Sequence, residues 1–192
     1  MSMKSKKGFR FYLWLTVAAL AVMYFLVPQE VSNPVEGATA SSFNHKTFWH
    51  PWGDHHHRGV DIFAKKGTPI HPAVPGIVVS TMSAERGHDG GNCLVIAGTR
   101  GRLYYYAHLQ EICTHVGAIV GRNDVIGKVG DTGNAKGKPA HCHFSIPTLV
   151  PQFGHMPEEL GHLSFEDDSW QKIFFVNPVE ELSGNSTYLS NR

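Results

Sequence analysis

Short runs of alternating apolar and polar residues, separated by glycines, extend from about His45 to Leu182. A period of two residues is typical of β-strands that bury one face. Strands are predicted at GVDIFA (59–64), GIVVSTM (76–82), NCLVIAG (92–98), RLYYYAHL (102–109), DVIGKVG (124–130) and AHCHFSI (140–146), with a tight hairpin at GTRG (98–101). Few windows have the 3.6-residue period of a helix, so we predict a compact all-β domain over residues 44–192.

The C-terminal part departs from this pattern in two places. In NPVEEL, Asn177 is a favourable N-cap, Pro178 suits the first helical position, and two glutamates follow in the first turn, so a short helix is expected. Residues 147–176 have no regular period, and a loop of this length in a compact domain is often functional. We expect this segment to form a rim or lid over a site.

The N-terminal 27 residues carry a membrane-anchor pattern. Residues 1–10 contain four lysines and arginines, and residues 11–27 (FYLWLTVAALAVMYFLV) contain no charge. A helix of that length spans about 25 Å, close to the apolar thickness of a bilayer. Because positive charge keeps its own end cytoplasmic, we predict a cytoplasmic segment at 1–10, a transmembrane signal anchor at 11–27 and a domain on the periplasmic side of the inner membrane.

A cleaved signal peptide is the alternative to this N-terminal transmembrane helix. Ala38-Thr39-Ala40 offers a cleavage site of small residues, but it lies well past Val27, and the apolar run is long for a signal peptide. Both readings place the domain outside the cytoplasm. Residues 28–43 are rich in Pro, Ser, Ala and Gly without apolar periodicity, and we predict a flexible linker there.

Charge and cysteine content limit the classes of partner. The chain has 17 Lys and Arg against 16 Asp and Glu, and four of the basic residues lie in the first ten, so the remainder has no basic surface for nucleic acid. Cys93, Cys113 and Cys142 allow at most one internal disulfide, with the pairing left open. The 13 histidines are the unusual feature of the composition.

Two histidine motifs could supply metal ligands. His57, the last of three consecutive histidines, precedes Asp61 by four residues. On a straight strand these side chains would lie about 13 Å apart, too far to share an ion, so the chain must bend between them, and Gly59 permits a bend. His141 and His143 share one strand face about 6.6 Å apart and can reach one site, whereas the intervening cysteine points into packing. The alternative for His57 and Asp61 is a solvated loop, and the alternative for His141 and His143 is a polar strand face.

A fourth histidine, His108, lies in YYYAHL and is expected on the strand face of Tyr104 and Tyr106. Its simplest alternative role is that of a hydrogen-bonded structural residue. Two histidines, one aspartate and a water form an open, catalytic type of zinc site. The chain has no HExxH helix to supply a glutamate base, so a histidine must do this work, and His108 and His141 are available.

Together these segments resemble the catalytic domain of the lysostaphin-type (LytM-like) peptidoglycan metalloendopeptidases over residues 46–182. The similar stretches come in the same order: HRGVDIFAKKGTPIHPAVPGIVV, GGNCLVIAG, YYYAHL, VIGKVGDTGNAKGKPAHCHFSI and FVNPVEEL. The resemblance implies a compact antiparallel β fold of the duplicated hybrid motif kind, with a groove over the sheet and one Zn²⁺ per chain. Position by position, it implies His57, Asp61 and His143 as zinc ligands and His108 and His141 as catalytic residues.

The resemblance also implies the activity, a zinc endopeptidase that hydrolyses peptide cross-links or stem peptides of bacterial peptidoglycan. The alternative is a non-catalytic peptidoglycan-binding regulator of another wall hydrolase, although such modules typically lose ligands that are all present here. A phosphocarrier with paired histidines is more remote, since it would be cytoplasmic and would not need Asp61. Two departures from the family bear on substrate preference. The turn GNAKGKPA (133–140) is longer than the family's usual turn before HxH, and the segment 147–176 is longer than in the compact members of the family.

Overall fold

The computed structural model describes residues 3–26, 30–53, 55–152 and 168–189. Within these ranges the order of elements is α1 (Met3–Leu26), β1 (Pro51–Trp52), β2 (His55–His56), β3 (Val60–Phe63), β4 (Pro69–Ile70), β5 (Gly76–Met82), β6 (Asn92–Ala97), β7 (Leu103–Leu109), β8 (Glu111–Ile112), β9 (Ile119–Val120), β10 (Gly127–Lys128), β11 (His141–Pro147), β12 (Phe175–Val176) and α2 (Pro178–Leu189). Short 3-10 helices lie at Ala40–Ser42, Ala84–Arg86, Gly133–Ala135 and Ser169–Phe174.

Antiparallel strands form the body of the domain. The main sheet has the order β12-β11-β7-β6-β5-β9, and β3 pairs with β11 as well. A smaller sheet has the order β4-β10-β8, and β1 and β2 form a separate hairpin. The predicted antiparallel β class is confirmed, and the longer predicted strands correspond to β3, β5, β6, β7 and β11.

Alternate positions on the central strands form the core. Leu94 and Ile96 of β6, Tyr104 and Tyr106 of β7, and Cys142, Phe144 and Ile146 of β11 are all fully buried. Removing an aliphatic or aromatic side chain of this size from water stabilises a fold by about 1.5–3 kcal/mol. Since Cys142 and Phe144 face this core, His141 and His143 point to the opposite side of β11, as predicted.

The flexible linker predicted at 28–43 is wrong for residues 30–43, which pack onto the domain. Val31, Val35 and Phe43 belong to the hydrophobic core. Val35 makes a β-bridge with Ile70, and Phe43 makes one with Ile62. These apolar residues are too widely spaced to form a period, so their burial could not be predicted from a segment of linker-like composition. The folded domain therefore includes residues 30–43 and does not begin at residue 44.

The helix α1 has solvent-exposed side chains throughout residues 9–23. In the part of the chain that the structure describes, no helix is both long and apolar enough to cross a membrane, which does not support the span predicted at 11–27.

The C-terminal helix α2 begins as predicted. The backbone amide of Val179 donates to the side-chain oxygen of Asn177 at 3.1 Å, which is an N-cap contact. The helix extends to Leu189, beyond the predicted NPVEEL. Arg102, just before β7, donates to Glu181 at 2.8 Å and fixes α2 against the sheet.

Candidate active site

The predicted metal ligands lie on two adjacent strands and the bend that precedes one of them. Asp61 of β3 is paired directly with His143 of β11, so their side chains emerge side by side. His57 lies between β2 and β3, and the chain bends at Gly59 before β3 begins. This bend brings His57 back over Asp61, as the spacing of the two residues required.

Three side-chain atoms converge at this point. His57 Nε2 lies 3.1 Å from Asp61 Oδ1 and 3.0 Å from His143 Nδ1, and the latter two atoms are 2.9 Å apart. A tetrahedral zinc ion with bonds of about 2.0–2.1 Å separates its ligands by roughly 3.3 Å. Two imidazole nitrogens and one carboxylate oxygen at this spacing therefore fit a zinc ion.

The charge of Asp61 is stabilised within this cluster. Burial acts to raise the pKa of its carboxyl group, but hydrogen bonds and charge interactions with His143 and His57 outweigh burial and hold the pKa well below its usual range. The aspartate is thus ionised at every physiological pH, as a metal ligand must be.

Gly59 is needed for close packing as well as for the bend. A Cβ at this position would lie 2.8 Å from His143 Nε2 and would also collide with the carbonyl oxygen of Phe144. Its backbone is not in the left-handed region. The site therefore depends on the absence of a side chain at residue 59 and not on unusual torsion angles.

A backbone carbonyl sets the tautomer of His57. Its Nδ1 lies 3.0 Å from the carbonyl oxygen of Thr47. A carbonyl only accepts hydrogen bonds, so the proton is on Nδ1 and the lone pair of Nε2 faces Asp61 and His143. Nothing in the sequence around Thr47 indicates this role, because it is carried by the main chain.

His108 and His141, the predicted catalytic pair, are held in the same way. His108 Nδ1 donates to the carbonyl of Thr132 at 2.9 Å, and His141 Nδ1 donates to that of Pro139 at 2.8 Å. Both Nε2 atoms are thereby left as proton acceptors. The ring centroids are 5.0 Å apart, and His141 Nε2 lies 3.8 Å from Asp61 Oδ1. The structure thus brings all five predicted residues together.

The imidazole of His108 is neutral near pH 7. Burial lowers its pKa, and the nearby His143 and His141 lower it further, to about 4, against the weaker opposing effects of the Thr132 carbonyl and Asp61. A neutral imidazole with a free Nε2 can take up a proton from a neighbouring group.

The strand face predicted for His108 is wrong, because β7 contains a bulge. Leu94 pairs with Tyr106 and Asn92 with Leu109, so β7 has one more residue than β6 between these pairs. His108 has φ of +62°, in the left-handed region that non-glycine residues seldom occupy. The extra residue turns the His108 side chain away from the core face of Tyr104 and Tyr106 and into the cleft.

An aspartate that the sequence did not single out supports the metal-binding bend. Asp168 accepts hydrogen bonds from the backbone amide of His56 at 3.1 Å, from His56 Nδ1, and from Arg58 Nη2 at 2.8 Å. Burial acts to raise the pKa of Asp168, but hydrogen bonds from Arg58 and His56 outweigh it and lower the pKa. Asp168 therefore braces both neighbours of His57.

The remaining predictions around the site have mixed outcomes. Half of the rim or lid predicted at 147–176 lies outside the described residues, which omit 153–167. Its described ends join the domain: Thr148 donates to the carbonyl of Phe174, and Phe175–Val176 form β12 against β11. All three cysteines are free thiols. The cleft is also lined by side chains that the motifs did not indicate, among them Trp52, Arg58, Tyr105 and Lys138.

Comparison with known proteins identifies relatives of this domain. Peptidoglycan DD-endopeptidase ShyA of Vibrio cholerae is 34% identical over 91 residues, which are 47% of this chain and 20% of that protein. The uncharacterized lipoprotein YgeR of Escherichia coli is 32% identical over 105 residues, 53% of this chain and 40% of that protein. The chain thus matches a fifth to two fifths of the length of these relatives.

Solved structures and a family match agree with this result. The catalytic domain of the antimicrobial peptidase lysostaphin from Staphylococcus simulans superposes with a TM-score of 0.56 at 21% identity, covering 76% of this chain and 98% of that chain. At this identity the likeness establishes the fold. Residues 55–151, about half of the chain, match Peptidase family M23. The chain therefore belongs to peptidase family M23.

Proposed function

We propose that the protein is a zinc-dependent endopeptidase that hydrolyses peptide cross-links or stem peptides of bacterial peptidoglycan. The observation that carries the proposal is the convergence of His57 Nε2, Asp61 Oδ1 and His143 Nδ1 beside two buried histidines with free Nε2 atoms. Family membership supports peptide hydrolysis, and the name of the Vibrio cholerae relative supports peptidoglycan as the substrate.

One zinc ion would be held by His57, Asp61 and His143. When bound, zinc supplies a Lewis acid for the scissile carbonyl and lowers the pKa of a water molecule. The carbonyl of Thr47 keeps the Nε2 lone pair of His57 available as a ligand, and the one negative charge of Asp61 partly neutralises the ion.

His108 and His141 would carry the proton transfers. The Nε2 of one accepts the proton of the attacking water and later returns it to the leaving amine, so that a peptide and a water become an acid and an amine. The Nε2 of the other would take a proton from solvent before the reaction, and its N–H would then stabilise the negative charge that develops on the carbonyl oxygen. Their fixed Nδ1 contacts orient both rings without further rearrangement.

We further propose that the protein is associated with the cell envelope, with residues 11–27 holding it at the inner membrane and the domain on the extracytoplasmic side. The basic first ten residues and the exposed apolar side chains of α1 support this location. A relative named as a lipoprotein also supports an envelope location. Full-length protein should remain in the membrane pellet after a carbonate wash, whereas a chain lacking residues 1–27 should be released.

The activity is tested with purified protein and isolated sacculi. We expect about one zinc ion per chain and release of peptide fragments that stops on chelation and returns with added zinc. Mass spectrometry of the fragments identifies the bond that is cut. Binding to sacculi without cleavage, in protein that holds zinc, would contradict the proposal and favour a non-catalytic regulator.

A further inference from the structure

The turn before β11 carries a lysine that projects over one wall of the cleft. The ammonium nitrogen of Lys138 lies 5.5 Å from the centroid of the Trp52 ring. That ring is about half exposed and its centroid lies 5.2 Å from the centroid of His57. Lys138 and Trp52 thus form a cation–π pair at the cleft surface, next to the metal-binding cluster.

The backbone under Lys138 is fixed relative to the catalytic histidines. The amide of Lys138 donates to the carbonyl of Ala135 at 2.9 Å, and Ala135 is buried. The next residue, Pro139, supplies the carbonyl that orients His141. One short turn therefore sets both the tautomer of His141 and the position from which Lys138 reaches the cleft.

The charge of Lys138 is available to a ligand. Arg58, the other cation of the cleft, is paired with Asp168 at 2.8 Å. Among the residues that the structure describes, no carboxylate lies within salt-bridge distance of Lys138, which is exposed. The aromatic ring covers only one side of the ammonium group, which leaves N–H donors for an approaching anion.

We propose that Lys138 and Trp52 form a subsite for a carboxylate of the substrate, so that the cleft prefers acidic peptides. This inference rests on the proposed function. The distance from the Lys138 ammonium to the Trp52 ring and the distance from that ring to the His57 ring together place the ammonium at most about 11 Å from the His57 ring. An extended peptide advances about 3.3 Å per residue. The recognised carboxylate therefore lies within about three residues of the scissile bond.

The test compares one substrate in two charge states. Cross-linked muropeptides released from sacculi are used directly and after conversion of their carboxylates to amides, and kcat/KM is measured for each. The wild type should prefer the acidic form by on the order of tenfold. Lys138→Gln should lose this preference, mainly through a higher KM for the acidic form, and the preference of the wild type should weaken at high salt.

The matched control is Lys136→Gln, which removes an exposed lysine of the same turn that does not line the cleft. It should retain the preference of the wild type. Equal cleavage of the two forms by the wild type, or an unchanged preference in Lys138→Gln, would overturn the subsite.

A binding experiment separates this proposal from the proposed function. The His108→Ala protein, with and without Lys138→Gln, is titrated with both muropeptide forms and Trp fluorescence is followed. Tighter binding of the acidic form, lost in the variant that also carries Lys138→Gln, supports the subsite. Absence of cleavage by the zinc-loaded wild type would count against the proposed enzyme activity but not against the subsite. Equal binding of the two forms would refute the subsite.

Discussion

Asp168 accepts a hydrogen bond from the backbone amide of His56, although 112 residues separate them in the chain. The same carboxylate holds Arg58, so it contacts the residues on both sides of His57. The chain that follows β11 thereby returns to the first metal-binding motif. A long-range contact of this kind fixes a bend whose local sequence has no regular secondary structure.

Replacing Asp168 should loosen the zinc site without removing a ligand. We expect Asp168→Ala to weaken zinc affinity by about 10- to 100-fold, because the backbone that orients His57 loses its brace. Competition with a metal-binding dye measures the affinity, and circular dichroism checks the fold. Glu111→Ala, which removes an exposed pair with Lys128, is the control and should leave zinc affinity unchanged. Equal affinity in Asp168→Ala and wild type would contradict the bracing role.

The four histidines and the aspartate of the site should divide into two groups. His57→Ala and His143→Ala should lose zinc and activity together, and Asp61→Ala should behave like them. His108→Ala should keep zinc while turnover falls about 10²–10⁴-fold, as expected for a lost general acid or base. Metal analysis and product release are measured on the same samples. His115→Ala, at an exposed position, is the control; full activity in His108→Ala would rule out its proposed role.

Gly59→Ala should disrupt both fold and site. The added Cβ meets a backbone oxygen that cannot move freely and the ring of a metal ligand. We expect a loss of about 1–3 kcal/mol in the free energy of unfolding, with weaker zinc binding. Gly121→Ala is the matched control, because its Cβ would meet only Asp124 at 3.8 Å. Chemical denaturation of the two variants should give clearly different midpoints, and similar midpoints would contradict the packing argument.

The pH dependence of activity should reflect the lowered pKa of His108. An ordinary histidine loses its neutral form below about pH 6.5. Burial shifts this loss toward pH 4 for His108, so the base form persists through mildly acidic pH. The lowered pKa of His108 also affects stability. Below about pH 6.5 the unfolded chain takes up a proton at this histidine whereas the folded chain does not, so the fold loses stability as the pH falls below 6.5. The profile of kcat/KM at constant zinc content should show no loss attributable to His108 near pH 6.5.

The three thiols should differ in reactivity. Cys93 and Cys142 are buried, and burial raises the pKa of both thiols, whereas Cys113 is exposed. A chromogenic thiol reagent should therefore modify one cysteine in the folded protein and three in denaturant. Cys113→Ser should abolish the fast reaction. Rapid modification of two or more thiols in the folded state would contradict the packing of Cys93 and Cys142.

Much of the core and of the metal site follows from local sequence rules. The two-residue period on β11 separates Cys142 and Phe144 from His141 and His143, and the same alternation identifies β6. The spacing of His57 and Asp61 requires a bend, and a bend is present at Gly59. These features depend on neighbours within a few residues, and a sequence pattern captures such neighbours well.

Other features depend on contacts between distant residues and could not be predicted. Val31 and Phe43 lie in a segment of linker-like composition, and their burial follows from pairing with strands further along the chain. Nothing in the sequence distinguishes Asp168 from the acidic residues beside it, and its role follows only from its contact with His56 in the fold. The two-residue strands are held by their partners and have no period of their own.

The extra residue in β7 has a consequence for how the site tolerates change. The side chain at position 108 reaches the cleft because β7 is one residue longer than its partner there. Deleting Ala107 would restore regular pairing and still retain a histidine, yet that histidine would take the register of Ala107, opposite His143 of β11, and would lie one residue away from the carbonyl of Thr132 that orients it. Chain length in β7 is thus as strict a requirement for the chemistry as the histidine itself.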